Sequence, residues 1–128
     1  MAARYVPSWE IIEYAHDGKI DAPSGTGRAL AHRLAAVRRP YTRVPIDETV
    51  GAREARGADL AGSRVHSIRL PSYTISAEVI FGMPDQRLVL RHDAGGSAEP
   101  YVDGALLAIR GVGAFVGLRR GLDAVMDL

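Results

Sequence analysis

The sequence contains no cysteine, so disulfide bonds and thiolate metal ligands are both excluded. It also contains no run of about 18 apolar residues, the length that a membrane-spanning helix needs. The 16 Lys and Arg residues are balanced by 15 Asp and Glu residues, and the resulting net charge of +1 gives no general attraction to nucleic acid or to membranes. The first residues lack the apolar core of a secretory signal. We therefore predict a cytoplasmic protein with no nucleic-acid partner and no membrane partner.

A dinucleotide-binding motif is also missing. A G-x-G-x-x-G run should follow a first strand and begin a helix. Gly111, Gly113 and Gly117 instead come late, and no helix of sufficient length follows them. The 128 residues, of which 47% are apolar and 24% are charged, suit one compact domain with a single core. The sequence therefore predicts one domain without a nucleotide-binding fold of its own.

Apolar spacing predicts both strands and helices along the chain. The predicted strands are 8–16, 64–71, 74–82 and 86–93, and the predicted helices are 24–38 and about 98–111. The charged segment 40–62 is predicted as a loop with room for one short strand. This order indicates an α+β fold, in which an open mixed β-sheet of about four strands carries helices on one face. The other face of such a sheet needs cover.

The segment from Lys19 to Gly27 lies between a predicted strand and a predicted helix and has the chemistry of an anion site. Ser24 is suited to cap the helix, and the first helical amides carry the positive end of the helix dipole. Gly25 and Thr26 would offer amides and a hydroxyl to a carboxylate or phosphate, and Lys19 would add a positive charge. A turn that only caps the helix fits the same residues. A P-loop is excluded, because no Gly-Lys-Ser/Thr closes the segment.

A longer pattern resembles a known enzyme family. The signature of the dihydrodipicolinate reductase (4-hydroxy-tetrahydrodipicolinate reductase) family is similar to Glu10 to Glu13, His16, Lys19 and the run Asp21-Ala22-Pro23-Ser24-Gly25-Thr26. The resemblance continues in the same order through Val65 to Pro71, Glu78 to Gly82, Leu88 to Asp93, and Gly104 to Arg110. It covers nearly the whole chain. It implies part of an oxidoreductase that reduces a cyclic dicarboxylate with NADH or NADPH, in the diaminopimelate route of lysine biosynthesis.

The resemblance also implies how the chain is organised and what it works with. Residues 1–112 would form the C-terminal substrate-binding and oligomerisation domain, and residues 113–128 a tail that returns to a nucleotide-binding domain absent from this sequence. NAD or NADP would serve the intact enzyme, while this chain alone would bind neither and be inactive. The open sheet face would pack against other copies in a homo-oligomer, a tetramer. Two alternatives remain: a stand-alone dicarboxylate-binding module, or a structural assembly module without catalysis.

The same resemblance assigns the site residues. Lys19 is the catalytic residue, and its ammonium can either donate a proton to the reduced carbon or neutralise a carboxylate of the small dicarboxylate substrate. His16, Ser24, Gly25 and Thr26 are assigned with Lys19 to substrate binding. From its position in the turn, Ser24 is also the expected helix cap.

The chain departs from the family pattern in two places. The family has two consecutive histidines where this chain has Ala15 and His16, and alanine cannot act as a general acid. Family members also carry an arginine between the last strand and the last helix, whereas none occurs here between Arg91 and Arg110. Three explanations are open: Lys19 alone protonates the substrate, the substrate is a related dicarboxylate, or catalysis has been abandoned.

The remaining histidines give no sign of a metal site. His66 and His92 fall on predicted strands, where a structural role is expected, and His32 falls on an exposed part of the first predicted helix. No pair of histidines has the i, i+4 spacing with carboxylate support that a helical metal site needs. We therefore predict no metal.

Overall fold

The computed structural model describes residues 1–126. The elements in this part are β1 (Ser8–Ala15), α1 (Gly25–Ala35), β2 (Ala58–Leu60), β3 (Ser63–Arg69), β4 (Ile75–Met83), β5 (Gln86–Ala94) and α2 (Val102–Gly111). Short 3₁₀ turns accompany them at Ala2–Arg4, Ile46–Glu48, Arg53–Arg56, Glu99–Tyr101, Val112–Ala114 and Leu122–Val125. Within the described residues, no helix is long and apolar enough to cross a membrane.

The strands form one open mixed sheet in the order β2-β3-β1-β4-β5. β1 runs parallel to β3, while the other neighbouring pairs are antiparallel. The predicted α+β fold with an open mixed sheet is thus confirmed. The strand beyond the four predicted ones is β2, which lies in the segment where only a short strand was expected. Its three residues are too few to show an alternating pattern.

The first helix packs on one face of this sheet. Ile11 of β1 is fully buried and lies opposite Val65 of β3 and Val79 of β4. Ala31 of α1 belongs to the same core cluster. Burial of a side chain the size of isoleucine stabilises a fold by about 1.5–3 kcal/mol. Because β1 lies at the centre of the sheet and beneath the helix, its C-terminal end is a firm support for the segment that follows.

Both helices are shorter than predicted. α1 ends at Ala35, and the amides of Val37 and Arg38 both donate to the carbonyl of Leu34, at 2.9 and 3.2 Å. The Val37 bond spans three residues and tightens the last turn, as is common where a helix ends, and Pro40 then disfavours further helix. α2 begins at Val102, because the residues around the predicted start, including a proline, form the 3₁₀ turn Glu99–Tyr101.

From Gly96 onward the chain forms a second compact unit. Within it, the described part of the predicted tail packs on α2 through two glycines. A Cβ atom added at Gly104 would lie 2.9 Å from Leu122 Cδ2, and one at Gly111 would lie 3.4 Å from Val125 Cβ. The predicted boundary after residue 112 and the assignment of 113–128 to a tail stay predictions, and residues 127–128 lie outside the described part.

Candidate functional site

The site lies at the edge of the sheet where β1 and β3 end. The strand register aligns Ala15 with Arg69 of β3 and with Ile75 of β4, which in turn pairs with Ala94 of β5. The amide of Leu70 donates to the carbonyl of Ala15 at 3.1 Å, so the pairing continues to the very end of the strand. The segment 16–24 starts from this edge and leads into α1. It carries most of the residues predicted to bind substrate.

Capping leaves two amides of α1 for a ligand. The buried hydroxyl of Ser24 accepts a hydrogen bond from the amide of Gly27 at 3.2 Å, as expected of a helix cap. The amide of Ser24 itself donates to Glu13 Oε1 at 3.3 Å. The amides of Gly25 and Thr26 precede the first intrahelical bonds and so have no intrahelical partner. Both residues are exposed, so these two amides and the hydroxyl of Thr26 can meet an anion.

Lys19 lies in the turn that precedes these amides. Its Nζ is 2.6 Å from Asp21 Oδ1, and Arg28 Nη2 is 3.9 Å from the other oxygen of the same carboxylate. The hydrogen bond from the Lys19 ammonium holds the pKa of Asp21 below its usual range. Asp21 therefore fixes the lysine within the turn. Lys19 is also the only lysine in the chain. The other residues counted with it in the Lys and Arg total are all arginines.

His16 and Ala15 differ sharply in exposure. The amide of Lys19 donates to the carbonyl of His16 at 3.1 Å, which closes a tight turn. The His16 side chain is exposed, and its ring lies 3.3 Å from the point that a Cβ atom on Gly18 would occupy. Ala15 is completely buried. Of the two positions, only His16 offers an accessible side chain to a ligand.

The sequence analysis missed a buried ion pair beneath this segment. Arg69 Nη2 lies 2.7 Å from Glu13 Oε1 and also donates to the carbonyl of Asp21 at 2.7 Å. Glu13 is only 1% exposed. Burial raises the pKa of this carboxyl, but hydrogen bonds from Arg69, Ser67 and Ser24 outweigh it and hold the pKa below its usual range. The alternation of β1 could have revealed Glu13, because it falls on the same face as the apolar Ile11.

A second polar cluster occupies the opposite face of the sheet. The hydroxyl of Tyr14 donates to Glu78 Oε1 at 2.6 Å, and burial, together with this carboxylate, raises the pKa of Tyr14 to about 12. Arg91 lies 4.9 Å from the centre of the Tyr14 ring and binds both oxygens of Asp93, at 2.7 and 2.9 Å. The guanidinium of Arg91 is thus paired with Asp93 on the face of the sheet opposite α1.

The other histidines lie away from this segment in the sequence, and the structural role expected of His66 and His92 stays a prediction. His66 Nε2 is 2.7 Å from Glu10 Oε2, within the sheet. His32 and His92 are exposed. The described part of the chain contains no group of three or more His, Asp or Glu residues that could hold a metal ion.

Comparisons with known proteins support the resemblance seen in the sequence. The family model for the C-terminus of dihydrodipicolinate reductase matches residues 1–125. The 4-hydroxy-tetrahydrodipicolinate reductase of Moorella thermoacetica is 48% identical over 127 residues, covering 98% of this chain and 46% of that protein. The corresponding reductase of Lactococcus lactis subsp. lactis is 42% identical over 127 residues, covering 99% and 48%. This chain thus spans about half the length of the curated relatives that it matches.

A solved structure is similar over the same region. Dipicolinate-bound dihydrodipicolinate reductase from Paenisporosarcina sp. TG-14 matches with a TM-score of 0.85 and 36% sequence identity. The match covers 98% of this chain and 47% of that one. The sequence comparisons and the structural comparison therefore both match this chain to about half of a dihydrodipicolinate reductase.

Proposed function

The chain belongs to the dihydrodipicolinate reductase family, whose C-terminal region it matches, and from this premise we propose that it is the substrate-binding and tetramerisation domain of such a reductase. The intact enzyme would reduce a cyclic dicarboxylate with NADH or NADPH in the diaminopimelate route of lysine biosynthesis, in the cytoplasm. Residues 1–112 would form the domain, and 113–128 the tail that returns to the nucleotide-binding domain.

One observation carries the proposal: two unpaired helical amides and a lysine occur on one short segment. The amides of Gly25 and Thr26 and the ammonium of Lys19 offer a substrate carboxylate several hydrogen bonds, of which the ammonium contributes a charge-assisted one. Ser24 supports this arrangement through the cap, and the exposed His16 is available to the same ligand. The related solved structure holds dipicolinate, a planar dicarboxylate.

Lys19 also suits the transfer of a proton. Addition of hydride to an unsaturated dicarboxylate must be balanced by one proton. An ammonium can release that proton, whereas a guanidinium remains charged. Lys19 is the one lysine in a chain whose other Lys and Arg positions are all arginines, and it lies beside the proposed carboxylate site. This choice of lysine is consistent with the requirement for a proton donor. We therefore assign Lys19 both to binding and to proton donation.

The residues of this chain do not fit a nucleotide cofactor. The described sheet has a single parallel pair, β1 with β3, with α1 between them in the chain. The segment that joins β1 to α1 lacks the G-x-G-x-x-G run of a dinucleotide-binding βαβ unit. Hydride would be supplied by NAD(P)H on the separate nucleotide-binding domain. This chain alone is therefore expected to bind substrate without reducing it.

A binding module without catalysis is the second candidate, and it is favoured by two positions. Ala15 stands where the family has a histidine, and no arginine occurs between Arg91 and Arg110. General acid catalysis typically contributes about 10²–10⁴-fold, so the loss of the histidine would slow turnover far more than it would weaken binding.

Calorimetric titration of the chain with pyridine-2,6-dicarboxylate tests the proposed function. We expect saturable binding, and binding at least about 10-fold weaker for pyridine-2-carboxylate, which lacks the second carboxylate. Pyridine-2,6-dicarboxylate is aromatic and is not itself reduced, so a second assay uses 4-hydroxy-tetrahydrodipicolinate as the hydride acceptor. With this dicarboxylate, addition of the separately produced nucleotide-binding half of the Moorella thermoacetica reductase should allow NAD(P)H oxidation. Dicarboxylate binding without oxidation would favour the binding module, and the absence of binding would leave only a structural role.

The open face of the sheet supports assembly with further copies. The side chains of Val89, Ile80, Ile12 and Ile68 belong to four adjacent strands and follow a diagonal across this face. One polar cluster, centred on Glu10, flanks the diagonal on the β3 side, and the Tyr14 cluster flanks it on the β5 side. A stripe of this kind can pack against itself about a twofold axis, because the same patch serves both partners.

A further inference from the structure

The ion pair of Glu13 and Arg69 lies on the face of the sheet that α1 covers. Glu13 follows Ile11 on this face of β1, and Arg69 is aligned with Ala15 at the end of β3. The Arg69 side chain is only 16% exposed, and its Nη2 atom reaches back to the nearly inaccessible Glu13 carboxylate at 2.7 Å. Both charges are therefore largely removed from water.

A pair of this kind contributes little to stability by itself. Desolvation of two charges costs about as much as their attraction returns, and apolar side chains of similar size often serve a core equally well. The site has apolar neighbours, including Val65, that such a replacement could join. Stability alone therefore does not explain why a buried ion pair occupies this position beneath the segment 16–24.

The pair meets the chain between Asp21 and Gly27 at three successive points. Arg69 Nη2 donates to the carbonyl of Asp21 at 2.7 Å, before the helix cap. Glu13 Oε1 accepts the amide of Ser24 at 3.3 Å, at the cap itself. Beyond the cap, a Cβ atom on Gly27 would lie 3.2 Å from Glu13 Cγ, so the glutamate stem leaves little room beneath the first helical turn. The amides of Gly25 and Thr26 lie between the second and third of these contacts.

We infer that Glu13 and Arg69 are positioning residues that hold the carboxylate-binding turn in its binding geometry, an inference that rests on the proposed function. Arg69 fixes the start of the turn, and Glu13 fixes the cap and the first helical turn. Arg69 also neutralises Glu13, which would otherwise oppose an anion bound a short distance above it. Neither residue needs to touch the ligand.

The test compares three variants in their binding of pyridine-2,6-dicarboxylate by calorimetry. Arg69→Met leaves Glu13 buried and unpaired, so it should lower both stability and affinity. The double change Glu13→Gln with Arg69→Met removes both charges, and its stability should return toward that of the unmodified chain. Its affinity should remain at least about 10-fold weaker, because no donor holds the carbonyl of Asp21. This separation of binding from stability would not result from a purely structural role.

Ser63→Ala is the matched control. Ser63 is fully buried on the same face at the other end of the sheet, where it accepts the indole N–H of Trp9 at 3.0 Å. Loss of this hydrogen bond should lower the melting temperature and leave the affinity for pyridine-2,6-dicarboxylate within about twofold of that of the unmodified chain. The amide NMR signals of Gly25 and Thr26 in the ligand-free protein should shift in the double variant and not in this control.

Each outcome supports or overturns the positioning role of Glu13 and Arg69. Weak binding by the double variant, with normal binding by Ser63→Ala, supports the inference. If the double variant binds as tightly as the unmodified chain, the inference is overturned and the proposed function stands. The same conclusion follows if Ser63→Ala weakens binding as much as the double variant does. Absence of binding by the unmodified chain overturns the proposed function and the inference with it.

Discussion

Replacement of Lys19 by methionine is expected to weaken binding of pyridine-2,6-dicarboxylate by roughly 10- to 150-fold, since a hydrogen bond to a charged group contributes about 1.5–3 kcal/mol. Methionine keeps an unbranched side chain that is one atom shorter and removes the charge. Asp21, which is 2.6 Å from the ammonium, then loses its main partner and repels the incoming anion. Calorimetric titration at constant ionic strength measures the change.

One further variant separates the positive charge of Lys19 from its proton donation, and a second variant serves as the control. Lys19→Arg keeps the positive charge, so binding should stay within about threefold, while NAD(P)H oxidation with an added nucleotide-binding domain should be lost because a guanidinium does not release its proton. Arg38→Met removes an exposed charge just beyond the far end of α1 and should leave affinity unchanged. Equal affinity of Lys19→Met and the unmodified chain would contradict the role assigned to this lysine.

Replacement of Ile12 by glutamate is expected to dissociate the proposed oligomer. Ile12 lies near the middle of the apolar diagonal on the open sheet face, opposite the face that buries Ile11. A carboxylate there would lie beside the buried carboxylate of Glu78, its neighbour on β4, and would itself be buried in every copy, at a cost of several kcal/mol each. Light scattering during size-exclusion chromatography should show a tetramer for the unmodified chain and a single chain for the variant.

The control for this experiment is Val50→Glu, because Val50 is 100% exposed. It adds the same charge and should leave the tetramer intact. Circular dichroism of the Ile12→Glu variant should show an unchanged fold, since the core on the helix face is untouched. An unmodified chain that remains a monomer at micromolar concentration would contradict the proposed assembly.

Long alternating segments made most of the fold predictable. β4 alternates over nine residues, and the prediction for it differs from the structure by one residue at each end. β1 was predictable because aromatic and β-branched residues fill it. One short strand was allowed for within 40–62, but its position was not predictable, because three residues paired at the edge of the sheet carry no periodic signal. The helix ends depended on 3₁₀ bonding around Leu34 and Tyr101, which spacing does not reveal.

The local part of the site was also predictable, whereas its support was not. Ser24, Gly25 and Thr26 follow from capping, which involves only neighbouring residues. Glu13 and Arg69 are 56 positions apart in the sequence and meet only because β1 and β3 are parallel neighbours. A single sequence contains no spacing that joins them, although a charged residue on the apolar face of β1 was a visible sign.

The central claim is that the start of α1 binds a carboxylate, and amide NMR spectra recorded during titration with pyridine-2,6-dicarboxylate test it most directly. The signals of Gly25 and Thr26 should move downfield and saturate together, because their amides would donate to the ligand. The amide of Gly27 should change much less, since it already donates to Ser24. Unchanged signals from Gly25 and Thr26 at saturating ligand would contradict the claim.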